Sequence, residues 1–257
     1  MRVVSHTCSN TEIVCALGCA DMLVGVDADS DYPPEIVAPL PKLGRDLELD
    51  VAQVLALKPD LVLTSLTVPG HERIVDALRA QGLPLLVIDP LSLDEVYDNI
   101  IEIAEALGVL ARGRALVAQM QAQMPAVTPA KRPRVLVEWW PKPVIAPACG
   151  SWVNGVLELA GGENPWGNHA GKSVTLHDAA VVDAAPDVIV MSWCGVKVQN
   201  YRADVVARRP GHDAIPAVRN GHVHAISEEF LGRPGPRLVV GYRALRKIVE
   251  ASCGSAE

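Results

Sequence analysis

The chain has 257 residues, a formal net charge of −7 at pH 7 and 49% hydrophobic residues. This length and apolar content allow either one large domain or two lobes, each with its own buried core. The acidic balance without a basic run argues against a nucleic-acid partner, and no apolar run reaches the roughly 18 residues of a membrane span. We therefore expect a globular protein that neither binds nucleic acid nor inserts into a membrane.

The N-terminus enters a predicted strand directly. Met1 and Arg2 precede Val3-Val4-Ser5, with no apolar leader and no lipid-attachment cysteine. This indicates either a trimmed export signal or a cytosolic protein. The cysteines lack a disulfide-framework spacing, which favours the cytosol. They are Cys8, Cys15, Cys19, Cys149, Cys194 and Cys253.

The first part of the chain alternates between short apolar segments and helical patterns. The predicted strands are 2–5, 22–26, 60–65 and 84–88, and the predicted helices are 11–17, 50–57 and 71–81. Such an alternation predicts a parallel sheet with helices on both faces.

A helical stretch follows this lobe. Ser92 and Glu95 form a capping-box pattern that begins a helix, Gly108 interrupts it, and a second helical pattern runs to Pro125. Residues 125–133 are polar and rich in proline, as at a boundary between lobes. We predict an N-terminal α/β lobe at 1–91, a helical connector containing the bridging helix at 92–133, and a C-terminal α/β lobe at 134–257.

The second lobe repeats the plan of the first. Its predicted strands are 134–138, 162–165, 187–192 and 222–226, and its predicted helices lie near 152–160, 176–184, 199–208 and 237–250. A helix-to-strand segment at 49–65 returns at 176–192, with a constant offset of 127 residues. The repeat predicts two alike α/β lobes with a ligand cleft between them.

The large aromatic residues stand at strand ends. In open α/β sheets, ligands bind at the loops that follow the carboxyl ends of the strands. All tryptophans and the single phenylalanine fall in or beside these loops of the second lobe: Trp139, Trp140, Trp152, Trp166, Trp193 and Phe230. Such rings can wall a large planar ligand, and Tyr32, in the matching loop of the first lobe, is the expected opposing contact.

Polar groups of the first lobe complete the predicted site. Ser9 and Asn10 stand at a helix start, where backbone N–H groups can bind amides or anions. Arg45 could bind an anionic or amide group, although an exposed loop pair with Asp46 explains it equally well.

The spacing of cysteine and histidine does not favour a metal site. Cys15 and Cys19, with Cys8 upstream, could form a cluster site, but their apolar helix favours packing. His6 follows the first strand, either as an axial ligand for haem or a corrinoid or, the favoured interpretation, as a polar loop residue. The other histidines considered show no ligand spacing and suit surface positions: His169, His177, His212, His222 and His224.

Enzyme motifs are missing from the sequence. There is no GxGxxG, P-loop, GxSxG elbow or HExxH. We therefore predict a binding protein with no catalytic residues, no catalytic cofactor and no metal of its own.

Several segments resemble the helical-backbone (class III) substrate-binding proteins of ABC importers, and in particular their cobalamin-binding branch. These segments are 2–5, 11–18, 31–35, 57–63 and 233–237. The resemblance covers nearly the whole chain, and it is more specific for the family than for the ligand. It implies two Rossmann-like lobes with parallel sheets joined by a single rigid helix. It also implies a monomer that holds a corrinoid, cobalamin (vitamin B12), by aromatic and backbone contacts.

Two alternatives to the corrinoid reading stay open. Haem- and ferric-siderophore-binding proteins share the same fold, so either ligand could replace the corrinoid. A cytosolic corrinoid-handling enzyme or factor is the alternative from another class.

The resemblance also implies docking to an ABC permease through one acidic residue on each lobe. Glu72 suits the first lobe, but the repeat offset places Gln199 at the matching position. Asp204, about one turn further on, is the predicted substitute. The family implies a periplasmic or extracytoplasmic location, and the cytoplasm is the alternative because of the N-terminus.

Overall fold

The computed structural model describes residues 1–254. The chain divides into two compact units. Unit 1 comprises Met1–Pro90 and Tyr97–Gln119, and unit 2 comprises Leu91–Val96 and the chain from Met120 onward. The helical stretch therefore contributes residues to both units, and a separate connector at 92–133 stays a prediction.

Unit 1 contains a four-stranded sheet made of β1 (Val3–Ser5), β2 (Leu23–Val26), β3 (Leu61–Ser65) and β4 (Leu85–Ile88). The strand order is β2-β1-β3-β4, and every pair is parallel. The strands lie where the short apolar runs predicted them. β1 and β3 are central and almost wholly buried, as expected when helices cover both faces.

Helices alternate with these strands. The helices between the strands are α1 (Cys8–Ala16), α2 (Pro34–Val37), α3 (Val51–Ala56) and α4 (His71–Ala80), and α5 (Leu93–Ala106) and α6 (Leu110–Gln123) follow β4. The capping box is confirmed, since the Glu95 amide donates to Ser92 Oγ at 3.1 Å and the Leu91 amide donates to the Glu95 carboxylate at 2.6 Å. Gly108, with φ +73°, ends α5 as predicted, because a left-handed residue cannot continue a helix.

Unit 2 contains a parallel sheet of order β10-β9-β5. Its strands are β5 (Val135–Glu138), β9 (Val188–Met191) and β10 (Val223–Ala225). The predicted strand at 162–165 is reduced to an isolated bridge between Arg134 and Glu163. Apart from that edge, the predicted parallel strands are confirmed.

An antiparallel sheet in unit 2 was missed. It has the order β6 (Trp140–Pro141), β7 (Val144–Pro147), β8 (Ser173–Leu176), within segments that the sequence predicted mainly as loops. Prolines at 141, 143 and 147 punctuate these segments, and proline normally marks a turn or a strand edge. The short apolar run 144–146 was therefore not assigned to a strand.

The helices of unit 2 are α7 (Val153–Leu159), α8 (Asp178–Ala184), α9 (Ala203–Ala207), α10 (Pro216–Arg219) and α11 (Leu238–Gly254). The repeat is confirmed, because α3 leads into β3 as α8 leads into β9, at the same offset of 127 residues. Each unit has its own buried cluster, centred on Val62 and Leu78 in unit 1 and on Ile189 and Leu136 in unit 2.

Across residues 1–254, we find no helix that is both long enough and apolar enough to cross a membrane.

Candidate functional site

Polar side chains concentrate where β1 and β3 of unit 1 end. Thr7, with φ +83°, turns the chain from β1 into α1, and its amide donates to Asp27 at 3.0 Å. Asn10 is fully buried, and its Nδ2 donates to His6 O and to Ser65 Oγ at 3.0 and 3.1 Å. Ser9 is also buried. The Asn10 side chain thus links the ends of β1 and β3. Ligand contact by Ser9 and Asn10 stays a prediction.

A buried carboxylate fixes the loop that leads to Tyr32. Asp27 accepts hydrogen bonds from the amides of Asp29 and Ser30, both at 2.9 Å, and from the Ser30 hydroxyl at 2.6 Å. Tyr32 lies just beyond this loop and is 42% exposed. The scaffold therefore leaves part of the Tyr32 ring open to solvent.

Arg45 lies on the surface of unit 1. Its side chain is 75% exposed, and its guanidinium lies 3.4 Å from the Asp29 carboxylate rather than pairing with Asp46. An exposed pair of this kind contributes little to stability, so the guanidinium can exchange Asp29 for another anion at small cost.

Two buried histidines converge on Asp46. His71 Nε2 lies 2.8 Å from Asp46 Oδ1, and His6 Nε2 lies 2.7 Å from the Asp46 carbonyl oxygen. The rings meet edge to face, with centroids 5.2 Å apart. Partial burial opposes ionisation of Asp46, but the two imidazoles outweigh it and hold the pKa of this carboxyl well below its usual range.

His6 is therefore occupied inside the unit. It is fully buried, and its Nδ1 lies 2.8 Å from Thr64 Oγ1 while its Nε2 faces Asp46. An axial ligand must present a ring nitrogen to the iron or cobalt at the centre of a large macrocycle, and the full burial of His6 leaves no room for one. The sequence analysis did not identify His71 as a site residue. The feature that could have indicated it is its position as the first residue of α4, after the loop that follows the central strand β3.

The expectation that His212 lies on the surface is wrong. His212 is fully buried, 3.4 Å from Asp178, and burial lowers its pKa. His224 on β10 and His222, directly before it, are half-buried, and their rings stack with centroids 6.1 Å apart. Their i, i+2 spacing places both side chains on one face of the strand.

Three of the five tryptophans in unit 2 are buried. Trp152, Trp166 and Trp193 are 7%, 4% and 5% exposed. The Trp152 indole N–H donates to Leu231 O at 2.8 Å, and that of Trp193 donates to Glu138 at 3.2 Å. These three rings pack inside unit 2 and expose little area to a ligand. Their contact with a ligand stays a prediction.

The remaining aromatic residues offer more surface. Trp140 is 41% exposed and Trp139 is half-buried, both where β5 runs into the β6–β7 hairpin. Phe230 is also half-buried, and the Arg237 guanidinium lies 5.3 Å from its ring centroid. In unit 2, Trp139, Trp140 and Phe230 are thus the predicted contacts that a large ligand can reach in this conformation.

A buried ion pair holds the strand ends beside these rings. Glu138, at the end of β5, is fully buried and accepts two hydrogen bonds from Arg209, at 2.5 and 3.0 Å. The backbone carbonyl of Glu138 also accepts a hydrogen bond from the amide of Ser192, directly after β9, at 2.9 Å. Sequence reasoning missed this pair, although a glutamate that ends an apolar strand was its signal.

A surface cavity of about 380 Å³ lies elsewhere in unit 2. Lys142, His177 and Arg208 are among the residues that line it. Among the described residues, its lining includes none of the predicted ligand contacts.

The two predicted docking residues occupy first turns of helices. Glu72 is exposed at the start of α4 and accepts the Gly70 amide at 2.9 Å. Asp204 is half-buried at the start of α9, where Arg202 and Arg208 lie 2.9 and 3.4 Å away. Asp204 is thus already paired with cations of its own unit.

Comparison with known proteins gives a family match. The family model described as periplasmic binding protein matches residues 3–229. An uncharacterized ABC transporter substrate-binding lipoprotein, YvrC of Bacillus subtilis, is 31% identical over 96% of this chain and 79% of its own length.

Solved structures share the fold over almost the whole chain. The periplasmic heme-binding protein RhuT from Roseiflexus sp. RS-1, in its apo form, superposes with a TM-score of 0.82 at 29% identity, covering 98% of each chain. The periplasmic vitamin B12 binding protein BtuF of Vibrio cholerae gives 0.77 at 25% identity, covering 98% of this chain and 97% of its own.

Proposed function

Since this chain belongs to the periplasmic binding protein family, whose members are substrate-binding proteins, we propose that it binds a corrinoid, with cobalamin as its ligand. The observation that carries the proposal is the exposed ring of Trp140 at a strand end, in a chain similar to a vitamin B12 binding protein over nearly its full length. A corrin is large, with apolar faces and amide-bearing edges, so it needs both ring contacts and polar partners.

Each unit, taken by itself, carries residues that we propose to contact the ligand. Unit 1 supplies the Tyr32 ring, with Arg45 as a polar partner for corrin amides or phosphate. Unit 2 supplies Trp139, Trp140 and Phe230. The buried rings of Trp152, Trp166 and Trp193 support the loops that carry these contacts. Binding needs no catalytic group, and we propose that the protein is not an enzyme.

Haem is the second candidate ligand. It is favoured by the similarity to RhuT and by the exposure of Tyr32, since a tyrosine oxygen can ligate haem iron. Haem binding through Tyr32 predicts that Tyr32→Phe loses most of its affinity, because the phenyl ring has no oxygen ligand. Corrinoid binding through ring contact predicts that Tyr32→Phe keeps it.

We further propose that the protein works outside the cytoplasm with an ABC permease, through Glu72 on unit 1 and Asp204 on unit 2. Fractionation of cells that express the full natural gene tests the location. Recovery only in the cytosolic fraction would favour intracellular corrinoid salvage instead.

Isothermal titration calorimetry with cyanocobalamin tests the ligand. We expect one equivalent to bind with micromolar or tighter affinity, to wild type and to Tyr32→Phe alike. The absence of a binding signal at micromolar protein would remove the corrinoid proposal. A haemin-only signal that Tyr32→Phe abolishes would replace it with haem.

A further inference from the structure

The histidine pair of unit 1 suggests a second ligand. We propose that His6, Asp46 and His71 form a binding site for one divalent transition-metal ion of the Zn²⁺ class. One ligand atom from each residue lies within 4.8 Å of the other two. All three residues belong to unit 1, and none of them is a proposed corrinoid contact, so metal binding and corrinoid binding can be tested separately.

The donor spacing is close to that of a zinc site. Tetrahedral coordination at about 2.0–2.1 Å places neighbouring donor atoms about 3.3 Å apart. Asp46 Oδ1 lies 3.4 Å from His6 Nε2 and 2.8 Å from His71 Nε2. The remaining pair of donor atoms, one on each histidine, lies within 4.8 Å. An ion is admitted among the three atoms when the side chains adjust towards the tetrahedral spacing.

The donor set fits the chemistry of the ion. Two imidazoles and one carboxylate are ligands that Zn²⁺ accepts, while Mg²⁺ and Ca²⁺ prefer oxygen alone. An aspartate carboxyl is ionised at neutral pH. The site then supplies one negative charge and two neutral nitrogen donors.

The proposed metal site is buried on the side of the two histidines and open to solvent on the side of Asp46. The side chains of His6 and His71 are 0% and 1% exposed, whereas that of Asp46 is 30% exposed. Three protein ligands with an accessible fourth position are typical of zinc sites that keep a water or an exogenous ligand. An ion can thus enter past Asp46 without opening the core.

Metal binding fits the present hydrogen bond of one histidine and requires a hydrogen bond of the other to break. If His6 Nε2 binds the ion, its Nδ1–H donates to Thr64 Oγ1, which already lies 2.8 Å away. His71 Nδ1 now accepts the Val68 amide at 3.3 Å. When Nε2 of His71 binds the ion, Nδ1 carries the proton, and the Val68 amide must turn away.

The loss of the hydrogen bond between the Val68 amide and His71 distinguishes a metal site from a purely structural hydrogen-bond network. In the metal-free arrangement, both Nε2–H groups donate to Asp46 and the Val68 amide stays bound to His71. Val68 lies between β3 and α4 and is 39% exposed as a residue, so we expect water to replace His71 as the hydrogen-bond partner of its amide. Metal binding therefore predicts a large shift of the Val68 amide resonance, which a structural hydrogen-bond network does not.

The test is a calorimetric titration of the full chain, stripped of metal by chelator, with ZnCl₂, repeated with CoCl₂ to record visible d–d absorption. We expect one equivalent to bind and the Val68 amide signal to move. Asp46→Asn should weaken binding at least tenfold, and His71→Gln should abolish it. His169→Gln, at an exposed histidine, is the matched control and should bind like wild type.

Three outcomes would overturn the proposal: no binding of either ion, binding that survives Asp46→Asn unchanged, or binding that only His169→Gln removes. Circular dichroism checks that each variant is folded. If His71→Gln does not fold, the decision rests on Asp46→Asn, whose partly exposed side chain tolerates an isosteric amide, and on the Val68 amide of the wild-type protein.

Discussion

Replacing Trp140 with alanine is expected to weaken cobalamin binding. The residue is 41% exposed, and a tryptophan side chain presents up to about 250 Å², so about 100 Å² of ring is available to a ligand. At about 25 cal/mol per Å² this area contributes at most about 2.5 kcal/mol, or about 60-fold in Kd. Incomplete contact and lost side-chain freedom reduce that ceiling, so we expect a loss of about 5- to 60-fold.

Calorimetry with cyanocobalamin measures this effect without depending on tryptophan fluorescence. Val240→Ala is the matched control, because Val240 is a similarly exposed apolar residue of unit 2, at 40%, and belongs to no proposed contact. A Trp140→Ala protein that is folded and binds within twofold of wild type would refute the proposed ring contact. An equal loss in Val240→Ala would show that the effect is not specific to Trp140.

Three further predictions concern the scaffold. Arg209→Met leaves the Glu138 carboxylate buried without its cation, so it should lower the free energy of unfolding measured in urea by about 3–5 kcal/mol. Adding Glu138→Leu should restore most of this loss, and no recovery in the double variant would contradict a charge effect. The lowered pKa of Asp46 means that its ionised carboxylate stabilises the fold at pH values above 3.8, the ordinary pKa of this group. The unfolding free energy of wild type should therefore exceed that of Asp46→Asn by less at pH 3 than at pH 7. The same difference at both pH values would contradict the lowered pKa. Burial raises the pKa of Cys15 to about 11, so iodoacetamide at pH 8 should label the exposed Cys149 first, as peptide mass spectrometry can show, and equal rates would contradict this.

The parallel strands were predictable because their sequences carry the physical cause of their burial. A run such as residues 60–65 is apolar and bounded by proline and a polar strand end, and the repeat supplies a second copy at 187–192. The β6–β7–β8 sheet was not predictable in the same way. Its strands are two to four residues long, and β6 and β7 each end in proline, so neither length nor alternation distinguished them from loops.

The candidate site was only partly predictable for a related reason. Position at a strand end placed Trp140 and Tyr32 in exposed loops, but it did not reveal that Trp193 turns inward to Glu138. Long-range partners decide such orientations. His6, Asp46 and His71 are likewise separated by 25 to 65 residues, and no local spacing announces that they meet.

The central claim is that this protein binds a corrinoid, and native mass spectrometry tests it most directly. The purified chain is mixed with equal concentrations of cyanocobalamin, haemin and a ferric siderophore, and the mass of the complex is read. We predict a 1:1 complex with cyanocobalamin as the main species. A complex formed with haemin or the siderophore in its place would contradict the account.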